Sequence, residues 1–253
     1  MLNSWFQMKK VLLTLLVASL GFAGGHGNNV KWGYEGSIGP NYWGDLSPKF
    51  IMCKIGKNQS PIDINSKDTV KACLKPIKFH YIADAKYVLN NGHTIKVVTA
   101  GESYIVVDGK KFYLKQFHFH APSEHTVSGK YYPFEAHFVH IDKEGNIAVI
   151  GVLFKVGKEN PELAKIWKDM PKRVGEKNVL TSKVNPYLLL PKNKDYYRYS
   201  GSLTTPPCSE GVRWFVFKEP VELSKEQLKK FKEIMGFPNN RPVQPINARK
   251  VLK

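Results

Sequence analysis

The chain has 253 residues, of which 42% are hydrophobic, 12% aromatic and 23% charged, so it can bury a substantial core and is not disordered by composition. Its 38 Lys and Arg residues against 21 Asp and Glu residues give a formal net charge of +17, which suggests nucleic acid or an anionic surface as a partner. Only five of these cations are Arg, the residue favoured for base and phosphate recognition, and the lysines are scattered along the chain. We therefore expect no nucleic acid partner, and solubility or retention at an anionic envelope surface would each explain the lysine excess.

The first 23 residues differ in character from the rest and predict an export signal. Lys9 and Lys10 precede an apolar run over 11–23, and Gly21 and Ala23 supply the small residues that a cleavage site requires. The apolar run is too short to cross a bilayer core of about 30 Å as a helix. We assign residues 1–23 to a signal peptide and 24–253 to the mature domain, with an uncleaved membrane anchor as the alternative. The mature chain is then periplasmic or secreted, and it contains no later apolar run of transmembrane length.

Export would expose three cysteines to an oxidising compartment. Cys53, Cys73 and Cys208 allow one disulfide and one leftover thiol. The residues alone do not choose among the three pairings.

Short runs of β-branched and aromatic residues alternate with turn signals and predict three β-hairpins in series. The paired strands are 87–89 with 94–98, 104–107 with 112–120, and 134–141 with 147–156. Helical periodicity is clearest over 161–170 and 224–235, and Ser224 with Gln227 resembles a capping box. No linker, repeat or low-complexity block follows Trp32. We therefore predict a single, mainly β domain with largely antiparallel strands and a few short peripheral helices.

Histidines recur at alternating positions in two of the predicted strands. Residues two apart on a strand share a face, so His118 and His120 point the same way as Gln116, and His137 points the same way as Glu135. If the two strands are neighbours in register, three neutral imidazoles converge and leave the fourth corner of a tetrahedral zinc open, as in catalytic sites. Gln116 and Glu135 would then hold the far ring nitrogens of His118 and His137. The alternative is that these are ordinary core or surface histidines.

Several motifs, in the same order along the chain, resemble the α-class carbonic anhydrases. They are Gln59–Ile62, Gln116–His120, Ser123–Thr126, Glu135–His137, Gly201–Pro207 and Asn240–Gln244. The resemblance runs from about Trp32 to Arg249 and implies a large, mostly antiparallel, twisted central sheet crossed by a conical cavity. It also implies one zinc ion per chain, held by His118, His120 and His137. The short connection from His120 to Glu124 is typical of compact bacterial members. Such members are often homodimers, so a homodimer is a possible assembly of this chain.

The activity implied by the resemblance is reversible hydration of carbon dioxide to bicarbonate and a proton by attack of zinc-bound hydroxide, with weak esterase activity as a side reaction. Zinc lowers the pKa of its bound water to about 7, a value established for carbonic anhydrase itself. Thr204 matches the residue that accepts a hydrogen bond from the hydroxide and donates its own to Glu124, which as a carboxylate can only accept. His93 matches the proton-shuttle histidine, and an ordinary pKa near 6.5 suits that task. Lys96 departs from many members, which have a neutral polar residue there, and its charge could disturb the proton relay.

The remaining residues implied by the resemblance line a pocket or form a covalent bond. A small apolar substrate needs a carbon-lined pocket, and the matching residues are Val139, Val149, Leu203, Thr205 and Trp214. Cys53 and Cys208 match a disulfide of many secreted members, which leaves Cys73 as the odd thiol. The bonds Ser60–Pro61 and Pro206–Pro207 are expected to be cis.

Two other functions compete with carbon dioxide hydration. One is a non-catalytic carbonic anhydrase-like module for binding or adhesion, because a fold does not by itself imply a function. Such relatives usually lose a histidine ligand, whereas all three positions are histidine here. The other is a zinc hydrolase that acts on esters.

Overall fold

The computed structural model describes residues 30–253, and the signal peptide predicted for residues 1–23 lies outside this range. Within it, the strands are β1 (Asp63–Ile64), β2 (Lys78–His80), β3 (Ala85–Asn90), β4 (Ile95–Thr99), β5 (Tyr104–Val107), β6 (Lys110–His120), β7 (Thr126–Val127), β8 (Lys130–Tyr131), β9 (Phe134–Ile141), β10 (Ile147–Val156), β11 (Lys177–Val179), β12 (Tyr196–Ser202), β13 (Glu210–Phe217) and β14 (Val221–Leu223). The α-helices are α1 (Trp43–Leu46), α2 (Met52–Ile55), α3 (Pro161–Lys168) and α4 (Lys225–Met235), and 3₁₀ turns span Gly36–Ile38, Pro48–Phe50 and Pro186–Leu189. Residues 31–253 form one compact unit.

Eleven strands form one sheet, with the order β11-β3-β4-β6-β9-β10-β13-β12 along its main path. Strand β14 pairs with β10, and β2 and β5 extend the sheet beside β6. Most pairings are antiparallel, and the three predicted hairpins are present as β3–β4, β5–β6 and β9–β10. Strand β10 pairs in parallel with β13 and β14. The mainly β, mostly antiparallel class is therefore confirmed, and the parallel pairings are an addition that the hairpin pattern did not predict.

The main core lies between one face of the sheet and the helices α3 and α4. Phe119 of β6 contacts Trp167 of α3 edge to face at 5.1 Å between ring centroids, and Phe134 of β9 contacts Phe231 of α4 at the same distance. Both helices begin at capped residues. Asn160 accepts two backbone N–H bonds at the start of α3, and Ser224 with Gln227 forms the predicted capping box of α4.

A β-bulge in β6 decides which face each of its side chains takes. Leu114 lies opposite His140 of β9, but Gln116 lies opposite Val139, so Lys115 is an extra residue. Phe117 and Phe119 after the bulge therefore face the same core as Leu114 before it. With uninterrupted alternation, the even-numbered histidines would share the core face with Leu114. The bulge instead turns them to the opposite face.

The disulfide implied by the resemblance, Cys53–Cys208, is present, and Cys73 is an exposed free thiol. The expected cis bonds Ser60–Pro61 and Pro206–Pro207 are present, and Ala121–Pro122 is cis as well. None of the helices in residues 30–253 combines the length and apolarity needed to cross a bilayer.

His140 should make the protein sensitive to acid. It is fully buried on the core face of β9, where its Nδ1 donates to the Ala148 carbonyl at 3.1 Å and its Nε2 accepts from Tyr81 at 2.6 Å. Burial lowers its pKa to about 3, whereas in the unfolded chain the pKa is near 6.5. The unfolded state therefore binds the extra proton first, so stability is full above about pH 6.5 and falls as the pH drops toward 3.

We expect this one residue to lower the free energy of unfolding by about 3 kcal/mol between pH 7 and pH 4. Urea titrations at both pH values measure the loss. The variant His140→Gln should be less stable at pH 7 but should show a shallower dependence on pH. An unchanged dependence would contradict the assignment to His140.

Candidate metal centre

The register of the central strands brings the candidate site together on the sheet face opposite Phe117 and Phe119. One cross-strand row runs through Lys96, His118, His137, Gly151 and Val216. The neighbouring row runs through Gln116, Val139, Val149, Trp214 and Tyr199. His120 lies two residues beyond His118, opposite Glu135. The histidine row and the apolar row are therefore adjacent on one face.

The three predicted histidines lie close enough to share one ion. One ring nitrogen from each of His118, His120 and His137 lies within 4.8 Å of the other two. The ring centroids are 5.1 Å apart for His118 and His120, 5.4 Å for His118 and His137, and 4.6 Å for His120 and His137. His120 and His137 are buried, and His118 is half-buried, so the group has one partly open side.

In each of the three histidines, one ring nitrogen lies within hydrogen-bond distance of an oxygen acceptor. Gln116 Oε1 lies 2.8 Å from His118 Nδ1, and Glu135 Oε1 lies 2.9 Å from His137 Nε2. The third acceptor, which the sequence did not indicate, is the backbone carbonyl of Asn239, 2.7 Å from His120 Nδ1. These contacts leave Nε2 of His118, Nε2 of His120 and Nδ1 of His137 as the nitrogens that can bind a metal.

The protonation states of two of the three histidines suit a divalent cation. Burial lowers the pKa of both His118 and His120, so both rings are neutral at pH 7 and offer a lone pair. Burial alone would lower the pKa of His137 as well, but the Glu135 carboxylate outweighs it and raises that pKa. His120 Nε2 is a buried nitrogen without a hydrogen-bond partner in the described chain, as expected of a metal ligand. Three imidazoles with a fourth corner open are a donor set that fits zinc in catalytic sites.

Glu135 also connects the site to a second, deeper histidine. Its carboxylate accepts from the backbone amides of Glu124 and His125 at 2.8 and 2.9 Å and from His125 Nδ1 at 2.8 Å. Burial would raise the pKa of Glu135, but His125 and His137 outweigh it and hold the pKa well below its usual range. His125 Nε2 in turn accepts from the Tyr199 hydroxyl at 2.7 Å. His125 was not assigned a role from the sequence, although it lies in the Ser123–Thr126 motif.

Glu124 borders the metal-binding nitrogens. It is fully buried, and its Oε1 accepts from the Arg241 amide at 2.9 Å. Its Oε2 lies 3.7 Å from His137 Nδ1 and has no hydrogen-bond partner within residues 30–253. The hydrogen bond expected from Thr204 to Glu124 is therefore not formed at Oε2 in this structure, although Thr204 is buried as the expected role requires.

His93 lies in the turn before β4, and Lys96 lies on β4 next to the histidine group. His93 is half-buried, and its ring stacks on Trp32 with 3.7 Å between centroids and 5° between planes. Burial lowers its pKa below 6.5. Lys96 is half-buried directly opposite His118, and burial lowers the pKa of its ammonium group. Its charge contributes, after burial and the neighbouring histidines, to the low pKa of His118.

The predicted pocket residues form an apolar wall next to the histidines. Val149 and Trp214 are buried in a second hydrophobic cluster, and the half-buried Val139 and Leu203 pack against it. The Trp214 and His137 ring centroids are 4.8 Å apart. Thr205 is half-buried in the turn beyond β12.

Three histidines that could hold a metal ion, with one side partly open and an apolar wall beside them, are characteristic of metal-dependent enzymes. The family model described as eukaryotic-type carbonic anhydrase matches residues 38–253, and the chain belongs to that family. The chain is 43% identical over 245 residues to the carbonic anhydrase of Pectobacterium carotovorum, covering 97% of this chain and 100% of that one.

Solved structures agree with this assignment. The α-carbonic anhydrase from Thermovibrio ammonificans, in complex with the inhibitor sulfanilamide, is 73% identical with a TM-score of 0.88, covering 89% of this chain and 100% of that one. A hyperthermostable carbonic anhydrase from an active hydrothermal vent chimney is 61% identical with a TM-score of 0.85, covering 88% and 99%. The family resemblance and the carbonic anhydrase enzyme class predicted from the motifs are confirmed.

Proposed function

We propose that the chain is a zinc enzyme that interconverts carbon dioxide and bicarbonate. The observation that carries the proposal is the convergence of three imidazole nitrogens whose rings are all held from behind by oxygen acceptors. His118, His120 and His137 would hold the ion. Bound zinc supplies a Lewis acid that lowers the pKa of a water molecule to about 7, the value established for carbonic anhydrase.

Thr204 and Glu124 would orient the nucleophile. An ionised carboxylate can only accept, so Glu124 Oε2 would take the Thr204 hydroxyl hydrogen. The Thr204 oxygen is then left to accept the hydrogen of the attacking oxygen, whose lone pair turns toward the substrate. The vacant hydrogen-bonding capacity of Oε2 and the engagement of Oε1 by Arg241 support this arrangement.

The apolar wall would receive carbon dioxide. The substrate has no net charge and no donor, so carbon atoms are the suitable lining. Val139 and Leu203 are the half-buried members that can contact it, while Val149 and Trp214 would support them from below. Thr205 would lie at the rim of this pocket.

His93 would accept the proton that hydration releases. An acid of pKa about 7 loses protons to water at only roughly 10³ s⁻¹ if recombination proceeds at ~10¹⁰ M⁻¹s⁻¹, so faster turnover needs a relay group. His93 is neutral at pH 7 and can take up a proton, and the pKa lowered by burial favours passing that proton on to buffer. The variant His93→Ala should lower the maximal rate on the order of tenfold in weak buffer and leave kcat/KM unchanged.

Stopped-flow hydration assays with and without imidazole buffer test this role. Imidazole should restore the rate of His93→Ala because it carries the same proton in solution. An unchanged maximal rate in weak buffer would remove His93 from the mechanism.

One set of measurements on a single preparation distinguishes the proposed activity from its competitors. Zinc is quantified by mass spectrometry, and carbon dioxide hydration and ester cleavage are measured before chelation, after it and after zinc is restored. We expect about one zinc per chain. Chelation should abolish both the fast hydration and the slow ester cleavage, and restoring zinc should restore both. Zinc without hydration would favour a binding module, and ester cleavage without hydration would favour an ester hydrolase.

We also propose that the protein is exported to the periplasm or secreted, with residues 24–253 as the catalytic domain. The Cys53–Cys208 bond supports this location, because structural disulfides persist in oxidising compartments. The homodimer stays a prediction, which sedimentation of the purified chain checks.

A further inference from the structure

A single buried asparagine contacts both the metal-binding end of β6 and the turn that carries His93. Asn239 follows α4 in an irregular segment and is fully buried. Its backbone carbonyl accepts from His120 Nδ1. Its side-chain oxygen accepts from the Ala121 amide at 2.9 Å, and its side-chain nitrogen donates to the carbonyls of Phe119 and His93 at 2.9 and 3.0 Å.

The side chain fixes the position of the carbonyl that orients His120. The Asn239 amide bonds to the backbone on both sides of His120, namely to Phe119 and Ala121. The carbonyl of the same residue bonds to the His120 ring, so ring and backbone are held to one residue at three points. A shift of Asn239 would therefore rotate the His120 ring or draw its acceptor away.

The fourth hydrogen bond extends this arrangement to a different part of the site. The second N–H of the Asn239 side-chain amide donates to the carbonyl of His93, 146 residues away in the sequence. Both amide hydrogens and the amide oxygen are thus satisfied inside the protein, where an unsatisfied group would be costly. Loss of the side chain would leave backbone groups of Phe119, Ala121 and His93 without these partners.

We infer that Asn239 is a positioning residue that couples the orientation of the metal ligand His120 to the placement of the His93 turn. The inference rests on the proposed function, because it gives both histidines their roles in that reaction. It adds a residue that touches neither substrate nor metal and acts through one metal ligand, His120, and one proton acceptor, His93.

A neighbouring contact allows the two effects to be separated. The Thr94 hydroxyl also joins the His93 turn to Phe119, donating to its carbonyl at 2.6 Å. Thr94 makes no described contact with His120 or Ala121. The variant Thr94→Val should loosen the turn and its link to Phe119 but leave the acceptor of the His120 ring in place, whereas Asn239→Ala should affect the turn and that acceptor together.

The test compares Asn239→Ala with Asn160→Ala, a matched loss of a buried asparagine. Asn160 caps α3, and its side chain accepts from the amides of Glu162 and Leu163 and donates to the Glu222 carbonyl. Zinc affinity is measured by competition with a chelator, and amide hydrogen exchange at residues 93 and 94 is measured in the zinc-free protein. Asn239→Ala should weaken zinc binding about tenfold and speed this exchange about tenfold, and Asn160→Ala should do neither.

Three outcomes would overturn the inference: a zinc affinity and an exchange rate within twofold of Asn160→Ala, a change in only one of the two, or the same double change in Asn160→Ala. If Asn239→Ala does not fold, Asn239→Asp keeps the side-chain shape and the acceptor for Ala121 but removes both donated bonds, and the same two readouts apply. A wild-type chain that neither binds zinc nor hydrates carbon dioxide would instead contradict the proposed function. The exchange measurement on zinc-free protein does not depend on that function.

Discussion

The variant Val139→Tyr is expected to lose carbon dioxide hydration by on the order of 10²-fold or more while retaining zinc. Val139 lies on the site face of β9, two residues from His137, and is half-buried against the apolar wall. A phenol ring at this position would occupy the proposed carbon dioxide pocket. The ligand nitrogens would keep their places, because the side chain of Val139, although it lies beside that of Gln116, makes none of the three hydrogen bonds behind the rings. Hydration rates and zinc content of the same sample measure the two parts of this prediction.

Three further variants isolate the cause. Ile141→Tyr adds the same ring on the same face of β9, two residues farther from His137, and should keep the wild-type rate. Val139→Ala opens the pocket without blocking it and should retain most of the activity. His120→Ala should lose zinc and hydration together. Wild-type hydration by Val139→Tyr, or loss of its zinc, would contradict the placement of the substrate at this wall.

The sequence predicted the faces of the histidine strands because alternation is a local property. In β6, Phe117 and Phe119 face the core while His118 and His120 face the site, as the pattern indicated. Alternation does not say which strand lies alongside or in which register. Strands β6 and β9 are separated in the chain by the small pair β7 and β8, and it is the observed pairing of His118 with His137 that closes the group.

The bulge in β6 is marked by a local sequence signal that the hairpin prediction did not take into account. Leu114 and Phe117 are three residues apart, yet both face the core. Strict alternation cannot place them there, so the two consecutive polar residues Lys115 and Gln116 mark the extra residue. If the register of Leu114 opposite His140 continued without the extra residue, Gln116 would no longer lie opposite Val139. The side chains of Gln116 and Val139 would then be on opposite faces of the sheet.

Other parts of the site depend on contacts that no local pattern predicts. The acceptor for His120 comes from Asn239, 119 residues later, and it is a backbone carbonyl that any residue type could supply. Gly151 lies opposite His137, where an added Cβ would come 3.0 Å from Glu135 Oε1. The need for a glycine there arises only once β10 is packed beside β9. The parallel pairing of β10 with β13 is likewise set by the path of the chain between them.

Removing the Cys53–Cys208 bond is expected to lower the free energy of unfolding by about 5 kcal/mol in the chain-entropy model, because the bond joins residues separated by 155 positions. The folded structure would also lose a restraint at the turn that carries Thr204. Cys208 is fully buried, and its amide donates to the Thr205 carbonyl at 2.9 Å. We therefore expect the double variant Cys53→Ser/Cys208→Ser to lose activity at a lower temperature than the wild type.

Urea unfolding of the double variant, beside that of Cys73→Ser, separates the bond from the general effect of replacing a thiol. Cys73 is exposed and unbonded, so its replacement should change the free energy of unfolding by no more than about 0.5 kcal/mol. The carbonyls of Cys53 and Cys208 accept from Arg241 and Gln59, and these contacts would hold part of the turn in place after the bond is lost. The measured loss is expected to fall somewhat short of the entropic value where the reduced, unfolded chain retains structure, and a loss below about 1 kcal/mol would contradict the loop-closure account of this bond.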